Sequence, residues 1–223
     1  MKWVRYKHNE KNSYGFIMGD IIMEIEGLPY ENAKQTGVTV PLQEAKLLAP
    51  CEPSKIVCIG LNYVDHIKEM SWDAPTEPAL FLKPPTTVIG QGDEIVYPDL
   101  TKNLHYEGEL AVVINTECKN VKKENAKEYI FVCTCANDVT ARDLQHNDMQ
   151  WTRGKSFDTF CPLGPYIETD LKLEDAKIKT FLNGKTVQSS NINQLVFDVP
   201  AIVEYISTVM TLLPGDVILT GTT

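Results

Sequence analysis

The residue types best suited to chemistry gather around one apolar run. Tyr106-Glu107-Gly108-Glu109 leads directly into Leu110-Ala111-Val112-Val113-Ile114. Side chains two apart on a strand share a face, so Glu107 and Glu109 point the same way, above Ala111 and Val113. Both faces turn apolar, which marks a strand buried on both sides. Two carboxylates at the mouth of such a strand are costly unless neutralised. A divalent cation would neutralise them; alternatively, the pair lies past the buried part, in water.

A third carboxylate, Asp138, follows the apolar run Ile130 to Ala136 and opens a segment of helical spacing to about Asp148. It reads either as a further ligand or as a helix N-cap. Three carboxylates without a Cys/His cluster are hard oxygen donors, suited to Mg²⁺, Mn²⁺ or Ca²⁺ rather than zinc or copper. Arg142 and Gln145 lie four and seven residues on, within reach of a substrate, or Arg142 pairs with Asp138 at the surface. His66 and Glu69 are i and i+3 on a short helix. They form either an oriented imidazole for activating water or a surface ion pair. Lys155, in Arg153-Gly-Lys-Ser, is either solvated or the positive charge for an acidic substrate or an oxyanion. The chain has no P-loop and no nucleophile-elbow motif.

These residues need elements to hold them. The chain of 223 residues suits one large domain plus a smaller one. Its net charge of −9 argues against a general nucleic-acid or anionic-membrane binder. Apolar residues at 43% supply a core and exclude disorder as the main state. No apolar run reaches the roughly 18 residues of a membrane span. The start, Met1 to His8, is too polar for a signal peptide. None of the six cysteines forms a C-x-x-C, and Cys133 and Cys135 sit in an apolar run as buried free thiols. The cytoplasm is the expected compartment.

Residues 1 to about 50 read as short strands, with a hairpin across Gly19-Asp20. Lys55 to Gly60 is a buried strand, with Asn62 capping the helix after it. Ser71 to Glu77 is a loop beside the site, placed to act as a lid. Ala79 to Lys83 is a strand stopped by Pro84-Pro85. Gln91-Gly-Asp93 separates two further hairpin strands, and Asn183-Gly184 is the strongest hairpin signal. Asp198 caps a helix with Pro200 in its first turn and an apolar face at 202, 203, 206, 209 and 210. Strands dominate throughout.

Six motifs in order carry a resemblance. They are Gly60-Leu-Asn-Tyr-Val-Asp-His-Ile-Lys-Glu-Met, Phe81-Leu-Lys-Pro-Pro-Thr, Tyr106-Glu-Gly-Glu-Leu, Asn137-Asp-Val-Thr-Ala-Arg-Asp-Leu-Gln, Lys155-Ser-Phe-Asp-Thr-Phe and Pro214-Gly-Asp-Val-Ile-Leu-Thr-Gly-Thr. From about residue 53 onward the chain resembles the fumarylacetoacetate hydrolase family. The resemblance implies a mixed α/β, strand-dominated β-roll over 53–223, behind a small N-terminal β domain at 1–52. It also implies a homodimer with Mg²⁺ or Mn²⁺ on Glu107, Glu109 and Asp138. The water-activating pair falls on His66 and Glu69, and the enolate-stabilising lysine on Lys155. Substrate contacts fall on Arg142, Gln145 and Thr222. Further strands would follow the Thr220-Gly-Thr motif, so the domain reads as truncated.

The reaction so implied is C–C bond hydrolysis of an acylpyruvate-type 2-oxo acid through an enolate. The His66–Glu69 pair tips the expectation that way, because a pure decarboxylase needs no activated water. Decarboxylation or tautomerisation of oxaloacetate, or isomerisation of 2-hydroxyhepta-2,4-diene-1,7-dioate, would use the same electron sink. A non-catalytic, metal-dependent 2-oxo acid binding protein is the further alternative.

Overall fold

The computed structural model describes residues 1–69, 73, 75–173 and 176–223, with the side chains of His66, Lys68 and Glu69 outside the description. The N-terminal strands β1 (Lys2–His8), β2 (Lys11–Met18), β3 (Ile21–Glu26) and β4 (Lys34–Pro41) form an antiparallel meander. Its central turn is the expected one: Met18 pairs with Ile21 across Gly19-Asp20, and Gly19 has φ +62°. The short β5 (Lys46–Leu47) folds back on β1.

Next come β6 (Ile56–Gly60), helix α1 (Val64–Glu69), β7 (Ala79–Lys83), β8 (Val88–Ile89), β9 (Leu104–His105), β10 (Gly108–Ile114) and β11 (Ile130–Asn137). They are followed by β12 (Thr140–Ala141), α2 (Arg142–Asn147), α3 (Thr152–Lys155) and β13 (Cys161–Glu168). The hairpin β14 (Lys177–Leu182) and β15 (Lys185–Asn191), helix α4 (Val199–Val209) and β16 (Val217–Thr222) complete the fold. The main sheet runs β4-β3-β2-β1-β13-β11-β10-β16-β6-β7. The meander is thus continuous with the rest through β1 and β13, where Trp3 pairs with Ile167.

Strand β10 is buried on both faces, as its composition requires. Leu110, Val112 and Ile114 pack under α4 with Ile202, Val203 and Ile206. Ala111 and Val113 pack with Ile56, Cys58, Leu163, Val217 and Leu219. Each fully buried Val or Ile stabilises by about 1.5–3 kcal/mol. Asp198 caps α4 by accepting from Ala201 N at 2.9 Å. The inner face of α4 differs by one position: Ser207 is buried, and Val209 turns outward at 56% exposure. The Ser207 hydroxyl accepts from Val121 N at 3.0 Å, which satisfies it inside.

Four local expectations are revised. No strand forms after Gln91-Gly-Asp93. Asp93 accepts from Gly90 N at 3.0 Å and pairs with Lys46 at 2.7 Å, and Val96 N is drawn to Thr159 Oγ1 at 2.9 Å. β8 pairs in parallel with β13 instead. The helix expected from Asp138 begins at Arg142, because Thr140 and Ala141 are claimed by β9. Cys133 is buried but Cys135 is exposed. Asn62 donates to Thr220 O at 2.7 Å and Phe197 O at 3.1 Å and accepts from Phe197 N at 2.8 Å, tying three segments together. Among the described residues no helix is long and apolar enough to cross a membrane.

Candidate active site

The β10–β11 ladder assembles the acidic cluster. Gly108 pairs with Asn137 and Glu109 with Ala136, so Asp138, one past the end of β11, comes level with Glu107. Two bonds lock this meeting: Asp138 N donates to Glu107 O at 2.8 Å, and Glu107 N to Asn137 Oδ1 at 2.9 Å. On the other side of β10, the β16 register slips between Glu109 and Ala111. At that bulge Gly221, with φ +103°, turns its N–H onto Glu109 Oε2 at 2.7 Å. Carboxylate oxygens of Glu107, Glu109 and Asp138 all lie within 4.8 Å of one another, and all three residues are buried.

Three cations surround the cluster. Lys155 Nζ donates to Glu107 Oε2 at 2.6 Å and Asp138 Oδ2 at 2.5 Å. Lys83 Nζ donates to Asp138 Oδ1 at 2.6 Å and to Val139 O at 3.3 Å. Arg142 pairs with Glu107 Oε1, and its Nη1 meets Gln145 Oε1 at 2.5 Å. Burial alone would push Asp138 upward, but the Lys155 and Lys83 ammoniums hold it below the ordinary carboxylate range. Burial opposes the charge on Lys155 too, yet Asp138 and Glu107 raise its pKa. Glu109 differs. Burial, then the charges of Asp138 and Glu107, push it well above the ordinary value.

The donor set therefore fits a hard divalent ion. Three buried carboxylates offer oxygens alone, and Glu109 has a backbone N–H but no cation among its described hydrogen bonds. These residues line a cavity of about 700 Å³, shared with His105, Arg142, Gln145, Trp151, Lys155 and Thr222. The Trp151 ring meets Phe81 edge-on at 5.3 Å, and Phe81 lies 5.0 Å from Lys155 Nζ, so the lysine has an apolar roof.

The structure brings together most of the residues singled out by sequence. Glu107, Glu109 and Asp138 converge, and Asp138 is no helix cap, since Ala141 precedes α2. Arg142 and Gln145 are bonded neighbours on α2, but Arg142 pairs with Glu107 rather than with Asp138. Lys155 is not solvated; it ends α3 and is 2% exposed. Thr222 lies opposite Glu109 in the ladder and lines the cavity. His66 and Glu69 both fall on α1, but their side chains lie outside the described residues. The lid expected at 71–77 lies partly outside them as well. Lys83 falls in the Phe81-Leu-Lys-Pro-Pro-Thr motif, but sequence reasoning assigns it no role at the site. Its only local signal is a lysine closing an apolar strand before two prolines, and that pattern more often marks an exposed end.

A model described as fumarylacetoacetate (FAA) hydrolase C-terminal matches residues 55–223. The chain belongs to this family. A second model, described as Rv2993c-like, N-terminal, matches residues 1–50. Oxaloacetate tautomerase FAHD2B, mitochondrial, of Homo sapiens is 44% identical over 189 residues, which are 82% of this chain and 60% of the human protein. A crystal structure of 5-carboxymethyl-2-hydroxymuconate delta-isomerase from Mycobacterium smegmatis superposes with a TM-score of 0.94 at 44% identity. It covers 100% of this chain and 88% of that one. Maleylpyruvate hydrolase from Sphingobium sp. SYK-6, solved with manganese(II) and pyruvate, gives a TM-score of 0.81 at 28% identity over 100% and 88% of the two chains. Tautomerase, isomerase and hydrolase thus share one fold with this protein.

Proposed function

We propose that the protein is a divalent-cation-dependent enzyme that interconverts the keto and enol forms of a short 2-oxo diacid. The observation that carries this reading is the convergence of Glu107, Glu109 and Asp138 within 4.8 Å in a cavity also lined by Lys155 and Arg142. The three carboxylates would hold Mg²⁺ or Mn²⁺, or Ca²⁺ where it is abundant. The ion would supply Lewis-acid charge to a 2-oxo oxygen. Lys83, Lys155 and Arg142 balance the carboxylates in formal charge. With a divalent ion the site therefore has an excess of positive charge suited to a dianion.

The chain's own residues divide the remaining work. Arg142 and Gln145 hold the substrate's carboxylate from α2, and the Thr222 hydroxyl fixes it from β16. Lys155, pinned under Phe81 and Trp151, stabilises negative charge as it develops on the substrate oxygen. Tautomerisation takes a proton from C3 and returns one at the 2-oxo oxygen. His66, with Glu69 three residues on along α1, is assigned that transfer from their spacing. The tautomerase and isomerase relatives, both at 44% identity, support this reaction over others.

Hydrolysis of an acylpyruvate is the second reading, supported by the same His66–Glu69 spacing and by the maleylpyruvate hydrolase likeness. Assembly as a homodimer in the cytoplasm completes the proposal, with sedimentation of the pure protein as its check. The functional test is a panel of oxaloacetate, longer 2-oxo diacids and acylpyruvates, each assayed with Mg²⁺, Mn²⁺ or EDTA. Enol-to-keto conversion abolished by EDTA and by Glu107→Ala is expected. Conversion that survives both overturns the cation-dependent reading. Cleavage products from acylpyruvates favour the hydrolase, and tight binding without product favours a binding protein.

A further inference from the structure

Behind the cavity wall stands the β14–β15 hairpin, a two-stranded sheet outside the main one. It presses on the backbone between the two glutamates. A Cβ at Gly108 would collide with Thr180 Oγ1 of β14. The contact is completed by Gln188 of β15. Its Oε1 accepts from Gly108 N at 2.9 Å and from Thr180 Oγ1 at 2.8 Å. Its Nε2 donates to Thr222 Oγ1 at 2.8 Å and to Thr223 O at 2.9 Å. The amide's orientation follows from its partners: Gly108 N can only donate and Thr223 O can only accept. All four hydrogen-bonding positions of the amide are engaged.

The location gives this amide its significance. Gly108 is the residue between Glu107 and Glu109, and a turn of its peptide would swing both carboxylates. β11 holds one side of this segment, but on the other the β10–β16 ladder is interrupted by the bulge after Glu109, and there the Gly108 N–H is met by Gln188. The same amide sets the hydroxyl of Thr222, which lines the cavity. The hairpin also reaches α1, where Ser190 Oγ donates to Asp65 Oδ2 at 3.2 Å.

We propose that Gln188 is a positioning residue: it holds the Gly108 peptide and the Thr222 hydroxyl in register, and so sets the spacing of Glu107 and Glu109 and the aim of Thr222. The functional part of this proposal rests on the cation-dependent reading above. Groups that orient metal ligands typically change affinity or activity about 10–100-fold when lost.

The test compares Gln188→Leu, Gln188→Glu and, as a control on the same hairpin, Thr186→Val at an exposed position. Mn²⁺ affinity is measured by titration calorimetry, kcat and KM with a 2-oxo diacid, and amide hydrogen exchange over 104–112 and 217–223. Gln188→Leu is expected to weaken Mn²⁺ binding about tenfold or more, to raise KM, and to lose exchange protection at Gly108. Gln188→Glu keeps an acceptor for Gly108 but loses the donor to Thr222. It should therefore retain Mn²⁺ affinity while KM rises, a split that a merely structural role would not produce. Thr186→Val should match wild type. Unchanged Mn²⁺ affinity, KM and exchange in both Gln188 variants overturns the proposal. Should Gln188→Leu fail to fold, the split in Gln188→Glu decides. If wild type neither binds Mn²⁺ nor turns over substrate, the functional reading falls, and exchange at Gly108 alone sustains or overturns the positioning role.

Discussion

Lys83→Met tests the electrostatic logic of the site at its deepest point. Lys83 and Asp138 have side chains 0% and 1% exposed, and their charged atoms are 2.6 Å apart. Removing one partner of a buried pair costs about 3–5 kcal/mol, because the other charge stays behind without solvent. Asp138 retains Lys155 at 2.5 Å, which places the loss at the lower end, about 3 kcal/mol. A domain of this size shifts by about 2–4 °C per kcal/mol, so the midpoint should fall by about 6–12 °C. Total stabilities of about 5–15 kcal/mol leave the variant folded at room temperature. Urea denaturation of wild type, Lys83→Met, Asp138→Leu and the double variant completes a cycle. The pair should couple by about 1–3 kcal/mol, since the double variant buries no orphan from this pair. A loss below about 1 kcal/mol in Lys83→Met, or strict additivity in the cycle, would refute the reasoning.

Three further outcomes are expected. Buried Asp216 accepts from Leu213 N at 2.8 Å, Ser54 N at 3.1 Å, Ser54 Oγ at 2.6 Å and Lys55 N at 3.2 Å, and it pairs with Lys55. Asp216→Ala should therefore lose about 3–5 kcal/mol in chemical denaturation, and a change near zero would deny it this tying role. Of the six cysteines, Cys135 alone should react with a thiol reagent in the folded protein, because it is exposed while the other five are buried, and burial holds Cys51, Cys133 and Cys161 up at about 12. Mass spectrometry of the labelled protein identifies the site, and labelling of Cys51 would contradict the packing. Burial acts to raise the pKa of Glu24, but hydrogen bonds from Ser13 and Tyr6 and the charge of Lys11 hold it below the ordinary range. Its stabilisation is present above the unfolded carboxylate value, about 4.3, and is lost as pH falls through the lower folded value. Wild type should thus lose more stability on acidification than Glu24→Gln, as read from urea midpoints across the acidic limb.

The residues that bear chemistry were legible wherever a local period exposed them. Alternation along 107–114 predicts a strand buried on both faces with two carboxylates at its mouth, and β10 has that form. Asn183-Gly184 predicts its hairpin because only a few residues accept the positive φ that the turn imposes, here +51° and +76°. Asp198 and Pro200 mark the start of α4 for equally local reasons. The Gln91-Gly-Asp93 turn forms, yet its second strand does not, because Lys46 and Thr159 hold the chain that follows.

Sequence alone therefore determined which side chains share a face, where turns and caps fall, and which carboxylates need a partner. Tertiary structure decided who the partners are. Lys83 reaches Asp138 across 55 residues, and Gln188 reaches Gly108 across 80. Neither distance has a period that a local pattern can carry. Those meetings follow from the register of β10 with β11 and β16 and from the β14–β15 hairpin packing against them. Register is settled by the burial of whole faces and the pairing of whole ladders, not by any one residue in them.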